Sequence, residues 1–202
     1  FLSVITFDQD VDVICQSQNV ANKDSLKKVV KSISSGGSTN LSGGFFRGYR
    51  EVLKECKPGK VNRVLLLTDG EANVGITEPS LLADKAKGMA EKGVSVSTVG
   101  VGASFNEDLL MTLAEAGQGH YYYVSNPDEI PKVFADELEG LLSVIAQAIS
   151  ISMEGLNGCH VAGVLGYEPA FTATGASIEL PDMYENEVKI LALQIDHPPL
   201  PP

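Results

Sequence analysis

Residues 64–75 read VLLLTDGEANVG. Four apolar residues run straight into a threonine, an aspartate and a glycine. Bounded upstream by KPGK (57–60), this is the pattern of a strand buried on both faces of a parallel sheet. In an open α/β sheet, ligands bind outside the carboxyl ends of the strands. Asp69 therefore stands on the rim where sites form, and a carboxylate there is costly unless it meets a cation or hydrogen-bond donors. The plainer reading is a carboxylate capping nearby backbone N–H groups, with Asp69-Gly70 making the turn.

Upstream, FLSVITF (1–7), DQD (8–10) and VDVIC (11–15) read as a hairpin with a short acidic turn. Asp24 is expected to cap a helix whose Leu26, Val29, Val30 and Ile33 fall at i, i+3, i+4 and i+7. SSGGSTN (34–40) breaks it, and a second helix carries Leu41, Phe45, Tyr49, Val52, Leu53 and Cys56 on one face. Downstream, Pro79 suits a first helical turn and Gly93 a helix end. The strand VSVSTVGV (94–101), a short helix over about 106–116 and the strand HYYYV (120–124) follow. A long helix then carries Ile130, Val133, Phe134, Leu138, Leu141, Leu142 and Ile145.

Strands alternating with amphipathic helices specify an α/β fold: a Rossmann-like, doubly wound, mostly parallel sheet with helices on both faces. After about Gln147, the strand-like runs AISISM (148–153), CHVAGVLG (159–166), ASIEL (176–180) and EVKILALQI (187–195) have no helix between them. They read as a small C-terminal β module. The expected division is 1–146 for the α/β domain, 147–197 for the β-rich module and 198–202 for a Pro-rich extended tail.

Composition narrows the function. The chain has 202 residues, 44% of them apolar and 20% charged, enough for a real core. Its net charge of −11 offers no basic stripe for nucleic acid. No apolar run approaches the ~20 residues of a membrane span, and no signal-peptide pattern opens the chain. Phe1 begins inside a strand-like run, so the sequence reads as a fragment. Three cysteines (Cys15, Cys56, Cys159) without C-x-x-C spacing read as buried thiols, not as a disulfide framework or a zinc site.

A second rim segment, GGSTNLSGG (36–44), joins the first two helices and offers the hydroxyls of Ser38 and Thr39 in a loop that glycines let approach a ligand. Hydroxyl and carboxylate oxygens are hard donors suited to Mg²⁺, Mn²⁺ or Ca²⁺. The plainer reading is that Ser38 or Thr39 caps the helix starting near Leu41.

The hairpin ending TF (6–7), the GGSTNL loop (36–41), RVLLLTDGEANVG (63–75) and GVSVSTVGVG (93–102), in that order, resemble the von Willebrand factor type A domain over roughly residues 1 to 145. Within it, LLTDGEANVGI (66–76) and GVLGYEPA (163–170) resemble a bacterial branch related to calcium-activated chloride-channel-like proteins and inter-alpha-trypsin-inhibitor heavy chains. The resemblance implies a metal-ion-dependent adhesion site. There a D-x-S-x-S segment after the first strand supplies an aspartate and two serines. By position, Thr39 is the second-loop threonine and Asp69 the third-loop aspartate, often acting through water. A carboxylate from a protein partner completes the sphere of Mg²⁺, or of Mn²⁺ or Ca²⁺. Ser38, Gly70, Glu71, Gly100 and Gly102 are expected around it: Gly100 and Gly102 to let their strand end close to the ion, Glu71 to orient waters or simply to lie exposed.

No aspartate of the chain begins a D-x-S-x-S or D-x-S-x-T run. The family's first strand lies upstream of Phe1, between the FLSVITF and RVLLLT strands. The site is expected to be half present and to hold metal poorly. The empty strand position implies strand exchange or self-association through that slot, or an upstream segment that fills it.

Competing readings are weaker. VGVGAS (99–104) lacks the full G-x-G-x-x-G nucleotide fingerprint, because position 105 is Phe. His120, His160 and His197 have no evident nucleophile beside them, so no enzyme is expected. A scaffold that works by surface contacts without metal is the alternative. The family resemblance implies an extracytoplasmic or cell-surface setting.

Overall fold

The computed structural model describes residues 1–34, 36–57, 60–147, 149–185 and 187–198. The chain divides into two units, Phe1–Leu141 and the residues from Leu142 onward. The expected tail falls mostly on residues 199–202, outside the described ones.

The first unit runs β1 (Leu2–Phe7), β2 (Val11–Gln18), α1 (Lys23–Lys31), α2 (Leu41–Leu53), β3 (Asn62–Thr68), α3 (Pro79–Ala90), β4 (Val94–Val101), α4 (Glu107–Ala116), β5 (Gln118–Val124) and α5 (Ile130–Ser143). β3, β4 and β5 form a parallel sheet with β4 in the middle. The β3–β4 register is unbroken from Asn62↔Val94 to Thr68↔Gly100. β-Branched residues in the strands and short αβ turns before β4 and β5 set this up, and the α/β reading of the sequence holds.

Alternation along the strands separates two faces. Val64, Leu66, Val94 and Val96 pack with Leu41 and Phe45 of α2, Leu82, Ala86 and Met89 of α3, and Leu109, Leu110 and Leu113 of α4. Val99 and Val124 pack on the opposite face with Val133 of α5, with Leu65, Leu67 and Ile130 half-buried around them. β3 thus differs from its expected burial on both faces. The three-helix side is closed, whereas α5 covers the other side in part. The apolar face expected of α5 also turns out differently: Phe134 and Leu138 are 50% and 57% exposed, Ile145 lies beyond the helix on β6 (Val144–Ala146), and the buried positions are Val133 and Glu137.

Glu137 explains that rotation. Its Oε2 accepts from Arg63 Nη1 at 2.9 Å, and Arg63 Nε donates to Ser95 Oγ at 2.9 Å. Both ionic side chains are almost wholly buried. Glu137 Oε1 lies 3.4 Å from His120 Nδ1, long for a hydrogen bond. Burial pushes the Glu137 carboxyl up, but donors from His120, Arg63 and Ser97, with the Arg63 charge, outweigh it and hold it at about 2. A buried pair of this kind fixes where α5 sits more than it adds net stability.

α2 carries a second buried carboxylate. Glu51 is fully buried, accepts from Lys54 Nζ at 2.7 and 2.8 Å and from the Ser17 N–H at 3.3 Å, and so ties α2 to β2. α1 is capped by Asn22 and not by Asp24: Asn22 Oδ1 accepts from the Asp24 and Ser25 N–H groups at 3.1 Å. Asp24 falls inside the first turn, where its charge meets the positive end of the helix dipole. α1 buries no residue, and Ile33 lies past its end.

β1 pairs with β2, β3 pairs with β4, and among the described residues no ladder joins β1 to β3. Each of these strands therefore presents one edge without a partner strand. α2 packs against β1, β2 and β3 alike. This is the strand position that the sequence leaves empty.

The second unit is antiparallel: β10 (Gly175–Leu180) lies between β7 (Ile149–Glu154) and β9 (Ala170–Phe171), β12 (Leu193–Asp196) pairs with β8 (His160–Val164), and β11 (Met183–Tyr184) with β6 (Val144–Ala146). Val164, Ile178 and Leu180 form its core. The three cysteines are free, Cys15 buried and the others half-buried. No helix among the described residues is long and apolar enough to cross a membrane.

A carboxylate held low contributes stability that is present above its unfolded pKa, ~4.3, and lost as pH falls through its folded value, about 2. Urea unfolding of the wild type should weaken across that window. Glu137→Gln should flatten the Glu137 part of this slope, measured as the difference between the two proteins' unfolding midpoints at pH 7 and pH 2.5.

Candidate metal centre

β3 delivers its last residue, Thr68, to the rim, and the exposed Asp69 follows. The buried Thr68 hydroxyl closes the turn, donating to the Gly70 carbonyl at 3.0 Å and accepting from the Gly70 N–H at 3.3 Å. Asp69 is thus presented on a stiffened turn.

The loop before α2 reaches the same rim. Its cap is neither Ser38 nor Thr39 but Asn40, whose Oδ1 accepts from the Gly43 N–H at 2.9 Å. The Asn40 N–H donates to the Asp8 carbonyl at 2.7 Å, fastening the loop to the end of β1. With Asn40 as cap, the Thr39 hydroxyl is not spent on the helix. The Thr39 N–H donates to Asn73 Oδ1 at 2.8 Å, and the Thr39 carbonyl accepts from the Asn73 and Val74 N–H groups at 3.1 and 3.3 Å.

These contacts set Thr39 against the Asp69 turn. Thr39 Oγ1 lies 3.0 Å from where a Cβ on Gly70 would stand, so a side chain at Gly70 would press on the hydroxyl. Gly75, at φ +78°, turns the same segment back, and a Cβ there would meet Ser42 Oγ at 2.5 Å. Ser42 Oγ in turn accepts from the Ile76 N–H at 2.8 Å.

The other expected site residues lie as follows. Ser38 is half-buried in the loop beside Thr39, and Glu71 is exposed. Gly100 gives its open space to the Phe105 ring, 2.2 Å from where a Cβ would stand, so the absent side chain serves packing inside the domain. Gly102, at φ +74°, makes the turn leaving β4, and its N–H donates to the Val124 carbonyl at 2.8 Å. Asn40, Ser42 and Asn73 were missed in the sequence. The one signal for Asn73 was an asparagine close before a glycine, which reads as turn chemistry.

Beside Asp69, Leu67, Thr68, Val101, Pro127 and Ile130 line a cleft of about 290 Å³. Among the described residues, no three His, Cys, Asp or Glu side chains gather as a metal-binding group. The two donors here are a hydroxyl and a carboxylate. They fit a hard divalent cation in kind and fall short of six in number.

The architecture is that of an open α/β domain with Thr39 and Asp69 at its carboxyl rim. The chain belongs to the von Willebrand factor type A domain family, which it matches over residues 2–136. It is 32% identical over 154 residues to the uncharacterised protein YfbK of Escherichia coli (strain K12), covering 76% of this chain and 27% of YfbK. It is 29% identical over 104 residues to inter-alpha-trypsin inhibitor heavy chain H3 of Mesocricetus auratus, covering 49% of this chain and 12% of the heavy chain. It spans, therefore, a minor part of either relative. The fold is shared with proximal thread matrix protein 1 from the mussel byssus, solved with a zinc-occupied MIDAS motif, at a TM-score of 0.55 and 18% identity over 78% of this chain and 38% of that one.

Asn40→Ala removes the α2 cap and should lower stability by about 1 kcal/mol, read from the urea midpoint at unchanged m-value.

Proposed function

We propose that this chain is a protein-binding module of the metal-ion-dependent adhesion type, with Thr39 and Asp69 as its own share of the site. What supports this most is the Thr39 hydroxyl beside the Gly70 backbone, 3.0 Å from where a Cβ would stand. Thr39 lies beside the turn that carries Asp69, thirty positions away in sequence, at the rim where α/β domains bind ligands. The mussel protein's zinc-occupied motif, on the same fold, agrees with it.

In this reading Thr39 and Asp69 would hold the cation, which would supply local positive charge and an exchangeable position for a partner's Asp or Glu. The chain's own charge of −11 repels such an acid, so a local positive charge is what makes its approach favourable. A D-x-S-x-S segment on a strand entering between β1 and β3 would supply the remaining donors. The partnerless edges of those strands fit that role. Without such a segment, the same edges favour self-association.

A second reading, a scaffold that binds partners without metal, draws on the fact that no three His, Cys, Asp or Glu side chains gather among the described residues. Calorimetric titration with Mn²⁺ separates the two. The 202-residue chain should bind weakly, and the chain fused to an apolar strand ending in D-x-S-x-S at least tenfold more tightly, with Asp69→Ala abolishing the gain. Absence of binding in both proteins would leave the scaffold. In analytical ultracentrifugation the chain alone should self-associate and the fused form should sediment as a monomer.

A further inference from the structure

We infer that Asn73 is the positioning residue of the rim centre: it clasps Thr39 in place opposite the Asp69 turn. The inference rests on the metal-centre reading above and adds a residue that the reading does not contain.

The geometry is a two-way clamp. Asn73 Oδ1 accepts the Thr39 N–H at 2.8 Å, and the Asn73 N–H returns to the Thr39 carbonyl at 3.1 Å. The side-chain amide oxygen does the work of a backbone carbonyl, so the pair resembles one rung of a sheet ladder between two loops that form no strand. The Val74 N–H adds a second donor to the same carbonyl at 3.3 Å. Both backbone groups of Thr39 are thereby fixed while its side chain stays free to face a ligand.

A local role for Asn73 does not account for this. It lies outside α3, whose first residue is Pro79 and whose cap position is Glu78. Its side-chain bond spans 34 residues instead of closing its own turn. The clamp also sits four residues after Asp69 and three past Gly70, which the Thr68 hydroxyl holds. It therefore ties Thr39 to the segment that carries Asp69. Two donors held on separate loops would wander relative to each other by more than an ion's coordination tolerates, and this bond removes that freedom. Because Asn73 is exposed, losing the clamp should disturb the rim without unfolding the sheet.

The test uses the ¹⁵N-labelled 202-residue chain, with amide hydrogen exchange followed in the absence of metal and line broadening followed on adding sub-stoichiometric Mn²⁺. In the wild type, Mn²⁺ should broaden the Thr39, Asp69 and Gly70 amides. In Asn73→Ala, metal-free exchange at Thr39 should speed at least tenfold, and Mn²⁺ should still broaden Asp69 and Gly70 but Thr39 much less. Asn73→Asp keeps the acceptor oxygen and should restore both Thr39 signatures, which a merely destabilised fold would not do. Unchanged Thr39 exchange in Asn73→Ala would overturn the inference, as would unchanged Thr39 broadening. If Mn²⁺ broadens none of these amides in the wild type, or Asp69→Ala leaves the broadening intact, the metal-centre reading falls. The exchange measurements then decide alone whether Asn73 holds Thr39.

Discussion

The structure of the first unit rests on one ladder, the unbroken parallel pairing of Asn62–Thr68 with Val94–Gly100. It places Val64, Leu66, Val94 and Val96 on one face, where three helices close over them. It also ends both strands at the same height, which creates the rim. Everything proposed for the site follows from where that ladder stops. Asp69 is at the rim because Thr68 is the last paired residue, and Thr39 is there because the loop before α2 is pinned to the segment that follows Asp69.

The buried charges do a different job from the apolar core. Burial of apolar area is non-directional, so it holds α5 against the sheet without choosing the helix's rotation. The Arg63–Glu137 pair chooses it, because an unmatched guanidinium or carboxylate inside the domain would be expensive. Glu51, with Lys54 and the Ser17 N–H, does the same for α2 and the hairpin. The cost shows on the outside, where Phe134 and Leu138 remain half in water.

The rim and the strand slot belong to one design. Among the described residues β1 and β3 each leave an edge without a partner strand, and in the proposed reading Thr39 and Asp69 are two donors where an octahedral ion asks for six. A single strand that entered the slot and ended in hydroxyl and carboxylate donors would satisfy both deficits.

The sequence by itself determined the alternation of strands and helices and nominated Thr39 and Asp69 as candidate donors, because both are local matters. Apolar periodicity fixes element type over a few residues, and Asp69 and Thr39 announce themselves by chemistry. What only the tertiary structure decided depends on partners far away in the chain. Asn73 reads as turn material until Thr39 arrives from 34 residues upstream. Likewise Glu137 reads as solvated helix surface until Arg63 meets it inside the domain, displacing the expected Phe134 and Leu138 outward. The helix cap is Asn40 and not the expected Ser38 or Thr39, because Asn40 is also tied to the Asp8 carbonyl, a contact no local pattern contains. A hydrogen bond or an ion pair is specified by both ends at once, and the sequence shows only one end at a time.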